Sequence, residues 1–327
     1  MFVLHAPTEI AGQMGLLCGG LRSIGIRATG YNWFQSYIQY NENIINTDAF
    51  ELAHFAYYLT RDADVLHFHN GDTLTVGHTE LPALKAMGKK MVMHHWGGDV
   101  RAKWRTRQLN PYELTDAYFP DEEIDRHLRQ LSEYIPTAIV QDYELYPYVK
   151  DYYQHVHVLP LACNVKQIAP VYPDPGRVVP LVLHAPTNRE FKGSKYVEQA
   201  VERLRPMVPF EFQLIEHMPH ARAMEIYAHG DIIVDQLLSG TYGMLSVEAM
   251  ALGKVVVAYV RDDVRAHLPA DFPIVVATPE NLADVLLPLL HNAQLRHDIG
   301  KRSRAFVEQF HAVDRVAQQL LEIYRTL

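Results

Sequence analysis

Short apolar runs alternate with longer amphipathic stretches along the whole chain. "MFVLHA", "DVLHFHN" (64–70), "KKMVMHHW" (89–96), "TAIVQ" and "HVHVLPL" read as strands of one sheet. Between them, "QMGLLCGGLRSIG", stopped by Gly25, and "LPALKAMG" (81–88) space their apolar residues as helices do. Strands separated by helices predict a parallel sheet covered on both faces.

The pattern breaks at 164–180, "NVKQIAPVYPDPGRVVP", where four prolines and a glycine suit a linker. The alternation then restarts with strand "LVLHAPT" (181–187), helix "SKYVEQAVERLR", strand "FEFQLIEH" and helix "PHARAMEIYAHG". Strand "DIIVDQLL", a short helix, and strands "KVVVAYV" and "FPIVVAT" follow. Thr278 is the expected cap and Pro279 the first residue of the next helix. The tail from "KRSRAFVEQF" onward is helical. "LHAPT" stands at 4–8 and again at 183–187, each time ending the first strand of a half, either as a trace of two similar halves or as coincidence. The expected organisation is an α/β chain of two Rossmann-like domains, 1–165 and 181–309, joined by a linker at 166–180 and closed by a helix at 310–327. Ligands of such sheets bind at the carboxyl ends of strands, which places the expected site in a cleft between the halves.

Composition narrows the classes. At 327 residues, two domains are the expectation. A net charge of −8 argues against general nucleic-acid binding, which needs surplus Lys and Arg. Two cysteines, Cys18 and Cys163, form no disulfide framework and show no zinc spacing, which fits a reducing cytoplasm. The start shows no basic region ahead of an apolar core, so no signal peptide is expected, and no apolar run approaches the ~20 residues that cross a bilayer.

In "GTYGMLSVEAMALG" (240–253), Gly243 precedes a two-turn helix. Backbone N–H groups at Gly243, Met244 and Leu245, aided by the helix dipole, would hold an anion. Glu248, one turn on, would accept two hydrogen bonds from a ribose diol. The plainer alternative is a Gly-capped helix with a surface Glu. In "NREFKG", Arg189 and Lys192 would neutralise a diphosphate leaving group, or would simply be solvated cations.

These passages, with "HHWGGDVR" in the amino half, carry a resemblance. The chain resembles the GT-B glycosyltransferases, and its carboxyl half resembles glycosyltransferase family four, the retaining nucleotide-sugar-dependent enzymes. "GTYGMLSVEAMALGKVVV" is similar to the family's Gly-Phe-Gly…Glu-Ala-Met-Ala-x-Gly-x-Pro-Val-Val signature, and "NREFKG" to its Arg…Lys-Gly diphosphate loop. The resemblance implies two Rossmann-like domains facing across a cleft, with the carboxyl-terminal helix crossing back to the amino-terminal domain. It implies Arg189 and Lys192 on the diphosphate, Gly243, Met244 and Leu245 on phosphate or sugar, Glu248 on the ribose, and His217 in "EHMPH" beside the nucleobase. It implies a UDP- or GDP-sugar as donor, no cofactor and no bound metal. In two respects the chain departs from the family. The first glutamate of the usual E-x(7)-E pair is Gly240, and the Arg-to-Lys spacing is short.

In the amino half the resemblance puts a histidine beside the donor sugar, aligning donor and acceptor; of the candidates His94 and His95, His95 is preferred because it adjoins the Trp96-Gly97-Gly98 turn. Asp99 and Arg101 would meet acceptor hydroxyls or a charged acceptor group, unless Asp99 only caps a helix. Gly12, with Gln13 and Gly15, matches loosely a loop near donor phosphates or acceptor, or is a structural turn. "HFHNGD" (67–72) sets His67 and His69 on one side of a strand, but no third zinc ligand stands at matching spacing, so a buried strand face is preferred. "RAKWRTRQ" (101–108) is either a solvated basic face or a weak peripheral contact with the inner face of a membrane.

The expected activity is metal-independent, hexosyltransferase-type transfer of a sugar from a nucleotide diphosphate donor to the hydroxyl of a glycan, lipid-linked or protein acceptor. Two rivals stand beside it: an epimerase or hydrolase of nucleotide sugars on the same fold, and a catalytically silent nucleotide-sugar-binding scaffold, which Gly240 keeps in play.

Overall fold

A computed structural model describes residues 1–327. It divides into two compact units. The first comprises Met1–Gln108, Asp116–Ala162 and Val313–Leu327; the second comprises Leu109–Thr115 and Cys163–Ala312.

The first unit is built on a seven-stranded parallel sheet. Its strands are β1 (Phe2–Ala6), β2 (Arg27–Asn32), β3 (Ile44–Asn46), β4 (Val65–His69), β5 (Lys90–His95), β6 (Thr137–Val140) and β7 (His155–Val158), in the order β3-β2-β1-β4-β5-β6-β7. From β1 the chain moves outward to β2 and β3, then returns to β1's other side for β4. That reversal is the topological switch point, where crevices open at the carboxyl ends of strands. Helices α1 (Gln13–Ser23), α2 (Ala49–Arg61), α3 (Leu81–Ala86), α4 (Lys103–Leu109), α5 (Asp121–Tyr134) and α6 (Tyr146–Val149) follow the strands.

The second unit holds β8 (Leu181–His184), β9 (Glu211–Leu214), β10 (Ile232–Val234), β11 (Val255–Ala258) and β12 (Val275–Val276), ordered β12-β11-β10-β8-β9. Its switch point lies at β8, between β9 and β10. Its helices are α7 (Arg189–Lys192), α8 (Ser194–Leu204), α9 (His220–His229), α10 (Met244–Ala251), α11 (Asp262–Arg265), α12 (Leu282–His291) and α13 (Ala293–Phe310). "VVVA" of β11 is buried at every position, as a central parallel strand between helix layers requires.

The tail is two helices, not one run. A turn at His311–Ala312 separates α13 from α14 (Val313–Thr326). Helix α14 buries Val316, Ala317, Leu320, Ile323 and Tyr324, an i, i+1, i+4, i+7, i+8 stripe. That stripe completes the first unit's core with Val3, Met14, Leu17, Val65 and Val92. Val313 and Ala317 approach so closely that a Cβ on Gly20 would lie 2.8 Å from Val313 and 3.0 Å from Ala317.

The structure changes two further local expectations. Helix α12 begins at Leu282, after the expected Thr278–Pro279 start, because Thr278 and Asn281 exchange backbone-to-side-chain hydrogen bonds and close a turn first. The proline-rich stretch around 166–180 is strapped down on the second unit. Val171 N–H donates to Leu252 O, the buried Lys254 ammonium reaches Ala228 O (2.7 Å) and Val171 O, and the fully buried Arg296 reaches Arg177 O at 2.6 Å. Burial brings the Lys254 ammonium down to about 8.

Candidate functional site

In the second unit, the loops after β8, β9 and β10 converge on the start of α10. Asn188 leaves β8 extended and accepts the N–H of Phe191, which turns the chain into α7. This one helical turn directs Lys192 inward. Its ammonium lies 2.6 Å from Asp235 Oδ1 and 2.8 Å from Gln236 Oε1, both just past the end of β10. Asp235 also accepts from Ser246 Oγ at 2.6 Å and from Gly243 N–H at 3.4 Å. A Cβ on Gly243 would stand 3.6 Å from Lys192 Nζ. Thus Lys192, Gly243 and α10's amino end share one spot at the switch point. Burial alone pushes the Asp235 carboxyl up, but Lys192, Ser246 and Gly243 outweigh it and hold it below the usual carboxylate range.

Gly243, Met244 and Leu245 are half-buried, whereas Ser246 through Ala251 are buried on all sides. The helix therefore offers only its first turn to a ligand. Glu248 is buried and lies 2.6 Å from His220 Nε2, at the start of α9. His217 is exposed in the loop after β9, with φ +53. Arg189 stands apart from Lys192's carboxylate: it is exposed and pairs with Glu216 at 3.1 Å and with Glu198. At Gly240, φ is +84 and a Cβ would meet Arg261 Cγ at 2.5 Å. A glutamate at this position of the E-x(7)-E pair would have to displace Arg261.

The amino-half candidates turn out to be bound to their own unit. His95 is fully buried, with Nδ1 2.6 Å from Asp99 Oδ2 and Nε2 2.9 Å from Tyr153 OH. Asp99 also accepts the N–H groups of Trp96 and Gly97, so it braces the turn after β5. Burial pushes its carboxyl up, but the His95 ring and these N–H groups prevail and keep it low. Arg101 is buried and forks onto Glu144 (2.7 Å from NH2) while also pairing with Asp116; neither carboxylate was singled out in the sequence. Gln13 is buried and exchanges two hydrogen bonds with the backbone of Ala162. The turn at Gly12, φ +78, fits under Tyr40, and Glu9 accepts the N–H groups of Met14 and Gly15 at α1's start. Asp99, Arg101 and Gln13 are thus each tied to groups of their own unit.

His67 and His69 gain a companion that sequence spacing concealed. His5, brought alongside by the β1–β4 register, sets three imidazole nitrogens within 4.8 Å of one another. The rings of His67 and His69, however, are stacked, 4° from parallel with centroids 4.4 Å apart. An ion must lie near the plane of each ring that ligates it, so these two rings cannot share one. The group is a hydrogen-bonded stack: His5 Nδ1 to His69 Nε2 (3.0 Å), His67 Nε2 to His94 Nδ1 (3.2 Å), and Tyr324 OH to both His67 (2.6 Å) and His5 (3.2 Å). Burial brings His5 down to about 3 and holds His67, His69 and His94 well below the usual imidazole range.

With this geometry in place, likeness to known proteins is informative. Residues 184–322 match a family described as glycosyl transferase-like. The chain has a GT-B glycosyltransferase fold. Sucrose-phosphate synthase from Thermosynechococcus elongatus superposes with a TM-score of 0.72 at 13% identity, covering 100% of this chain and 99% of that one. HepE of Anabaena, solved with UDP and glucose, gives 0.71 at 13% identity and full coverage of both chains. An α-glucosyltransferase solved with UDP-glucose and DNA gives 0.66 at 11% identity, with 99% of each chain covered. No curated protein matches the chain in sequence. Within the GT-B fold, the α10 start and Lys192 fall inside the matched segment, and no helix is long and apolar enough to cross a membrane.

Proposed function

We propose that the protein is a retaining glycosyltransferase that moves a sugar from a UDP-sugar to an acceptor hydroxyl, without a metal or other cofactor. The observation that carries this reading is the convergence of Lys192 and Gly243 at the amino end of α10, at the second unit's switch point. A diphosphate there meets an ammonium and a helix dipole end, which stabilise the charge that develops on the leaving group. Glu248, which His220 holds, would accept the ribose diol, and the exposed His217 would flank the base. Uridine is favoured because fold neighbours were solved with UDP or UDP-glucose.

In the reaction, the acceptor oxygen bonds to the anomeric carbon as the bond from that carbon to the β-phosphate oxygen breaks. The acceptor's proton passes to the departing phosphate on the same face, which gives retention. Arg189 supplies a second cation when it exchanges a carboxylate for the diphosphate. His95, fixed between Asp99 and Tyr153, acts through the shape of the β5 turn. A second reading, a silent UDP-sugar-binding protein, is favoured by Gly240 in place of the glutamate.

UDP release from UDP-glucose, with and without a panel of sugar acceptors, tests the proposal. Acceptor-dependent release, abolished by Lys192→Ala and unaffected by EDTA, is expected. Release independent of acceptor would point to a hydrolase, and nucleotide binding without release to the silent reading.

A further inference from the structure

Helix α2 buries little of itself against its own unit. Of its thirteen residues only Leu52 and Thr60 are buried. Phe50 is 88% exposed, Tyr57 63%, Tyr58 62% and Phe55 49%. A helix of this length is marginal in water by itself and takes its stability from packing a face against something else. Here the side chains that gain most from burial stand on the side turned away from the core. At ~200 Å² per aromatic side chain, the four rings leave on the order of 500 Å² of mostly apolar surface in water. An exposed patch of that size marks a contact site. The rings also steady one another, which lowers the cost of ordering them on contact. His54 meets Phe55 edge-on with centroids 4.9 Å apart, and Tyr57 meets Tyr58 in the same way at 5.5 Å.

The chemistry of this face selects its occupant. Phe50, His54, Tyr57 and Arg61 fall at i, i+4, i+7 and i+11, the spacing of a helix–helix seam. An antiparallel copy related by a twofold axis between Phe55 and Ala56 sets Phe50 against the other copy's Arg61, and His54 against the other copy's Tyr57. Both pairs are complementary: a guanidinium on an aromatic face, and an imidazole beside a phenol ring. Arg61 bonds Asp62 through Nε at 2.8 Å and NH2 at 3.0 Å, in the guanidinium plane, and is exposed, so a ring can lie on its flat face. Charge argues against a lipid surface. Helix α2 carries only Glu51 and Arg61, and Asp48, Asp62 and Asp64 adjoin it, whereas a helix that lies on a membrane carries Lys and Arg along its polar face. A neutral face bordered by acids repels anionic headgroups and suits a copy of itself. With Ala53, His54 and the Arg61 stem added, the surface approaches the ~800 Å² per partner of a standard interface. Its composition, rich in aromatics and poor in charge, is that of an interface centre.

We propose that α2 is the contact face of a twofold homodimer, with Phe50 and Tyr57 as its anchors and the two α2 helices antiparallel. Sedimentation velocity of the full chain over micromolar concentrations is the first test. Wild type is expected to sediment as a dimer. Phe50→Glu and Tyr57→Glu, both at exposed positions, are expected to weaken association about tenfold or more while the far-ultraviolet circular dichroism stays that of wild type. The pair Ala53→Cys/Tyr58→Cys tests the register and leaves both anchors in place. Five residues apart on one helix, these cysteines stand too far from each other to bridge within a chain, but the twofold axis sets each against the other in the second copy. Oxidation is expected to give a covalent dimer that reducing agent reverses. A wild type that stays monomeric across the range, a dimer that both glutamate substitutions leave unchanged, or a cysteine pair that yields no covalent dimer would overturn the proposal. Vesicles of phosphatidylcholine and phosphatidylglycerol supply the remaining arm. A monomeric wild type that pellets with them, and a Tyr57→Glu that does not, would assign the face to a membrane and overturn the dimer.

Discussion

Lys192 Nζ lies 2.6 Å from Asp235 Oδ1, across 43 residues of sequence, and the pair sits against the first turn of α10. A buried carboxylate thus balances the cation that the proposed donor site would offer to a diphosphate. The carboxylate fixes the ammonium's position and also weakens its pull on any other anion.

Asp235→Asn separates these effects. The amide keeps the shape but leaves the Lys192 charge unbalanced, and breaking a buried pair costs roughly 3 kcal/mol. The thermal midpoint is expected to fall by several degrees. UDP affinity, measured by calorimetry, is expected to rise about fivefold or more, since a unit charge at ~4 Å carries about 1–4 kcal/mol in partly solvated surroundings. A drop in both would mean that Lys192 needs Asp235 for its placement more than for its charge.

Gly243 is a test of approach distance. Its φ of −109° is open to any residue, so Gly243→Ala is expected to leave the thermal midpoint within about 1 °C. The added methyl would stand 3.3 Å from Gln236 Oε1 and in the path of a phosphate. UDP binding is expected to weaken by about tenfold or more, read by the same titration.

Gly240→Glu restores the family's missing carboxylate in name only. At φ +84, with Arg261 2.5 Å from the new Cβ, the substitution strains backbone and side chain together. About 2 kcal/mol or more of lost stability is expected, with no gain in activity. A gain in transfer rate would show that Arg261 yields easily.

Acid should loosen the first unit. His5, His67, His69 and His94 are held neutral in the fold but protonate near 6.5 when unfolded. The unfolded chain then binds more protons, so stability falls as pH drops below about 6.5, by up to about 1.4 kcal/mol per pH unit for each histidine. Glu9 opposes this: burial raises it to about 8, above its unfolded value of 4.5, so it favours the fold as pH falls through that window. The thermal midpoint is expected to drop between pH 7 and pH 5, and to drop more steeply in Glu9→Gln. A flat profile would show that the stack takes up protons without loss.

What could be read in the sequence was local. The apolar runs of β1, β8 and β11, and the Gly243–Glu248 spacing of α10, are set by neighbours along the chain. Helix α2 went unread because its aromatics follow no buried stripe: Phe50, Phe55, Tyr57 and Tyr58 are exposed, and only Leu52 and Thr60 are buried. Strand β2, "RATGYN", is polar and carries Gly30 against Met14, so its apolar signal is weak. Asp235, His5 and Glu144 gain their roles from partners far along the chain, which no motif spacing reveals. Polar residues at strand ends look alike in sequence; which partner each meets, His95 for Asp99 and Glu144 for Arg101, is set by the fold.

The central claim is a nucleotide-sugar site at the start of α10, and thermal stabilisation by UDP, UDP-glucose and GDP in wild type and Glu248→Ala tests it most directly. A ligand at a hundred times its dissociation constant stabilises by about 2.7 kcal/mol. The account predicts a shift with the uridine ligands in wild type and its loss in Glu248→Ala. No shift with any nucleotide, or one that Glu248→Ala leaves intact, would contradict it.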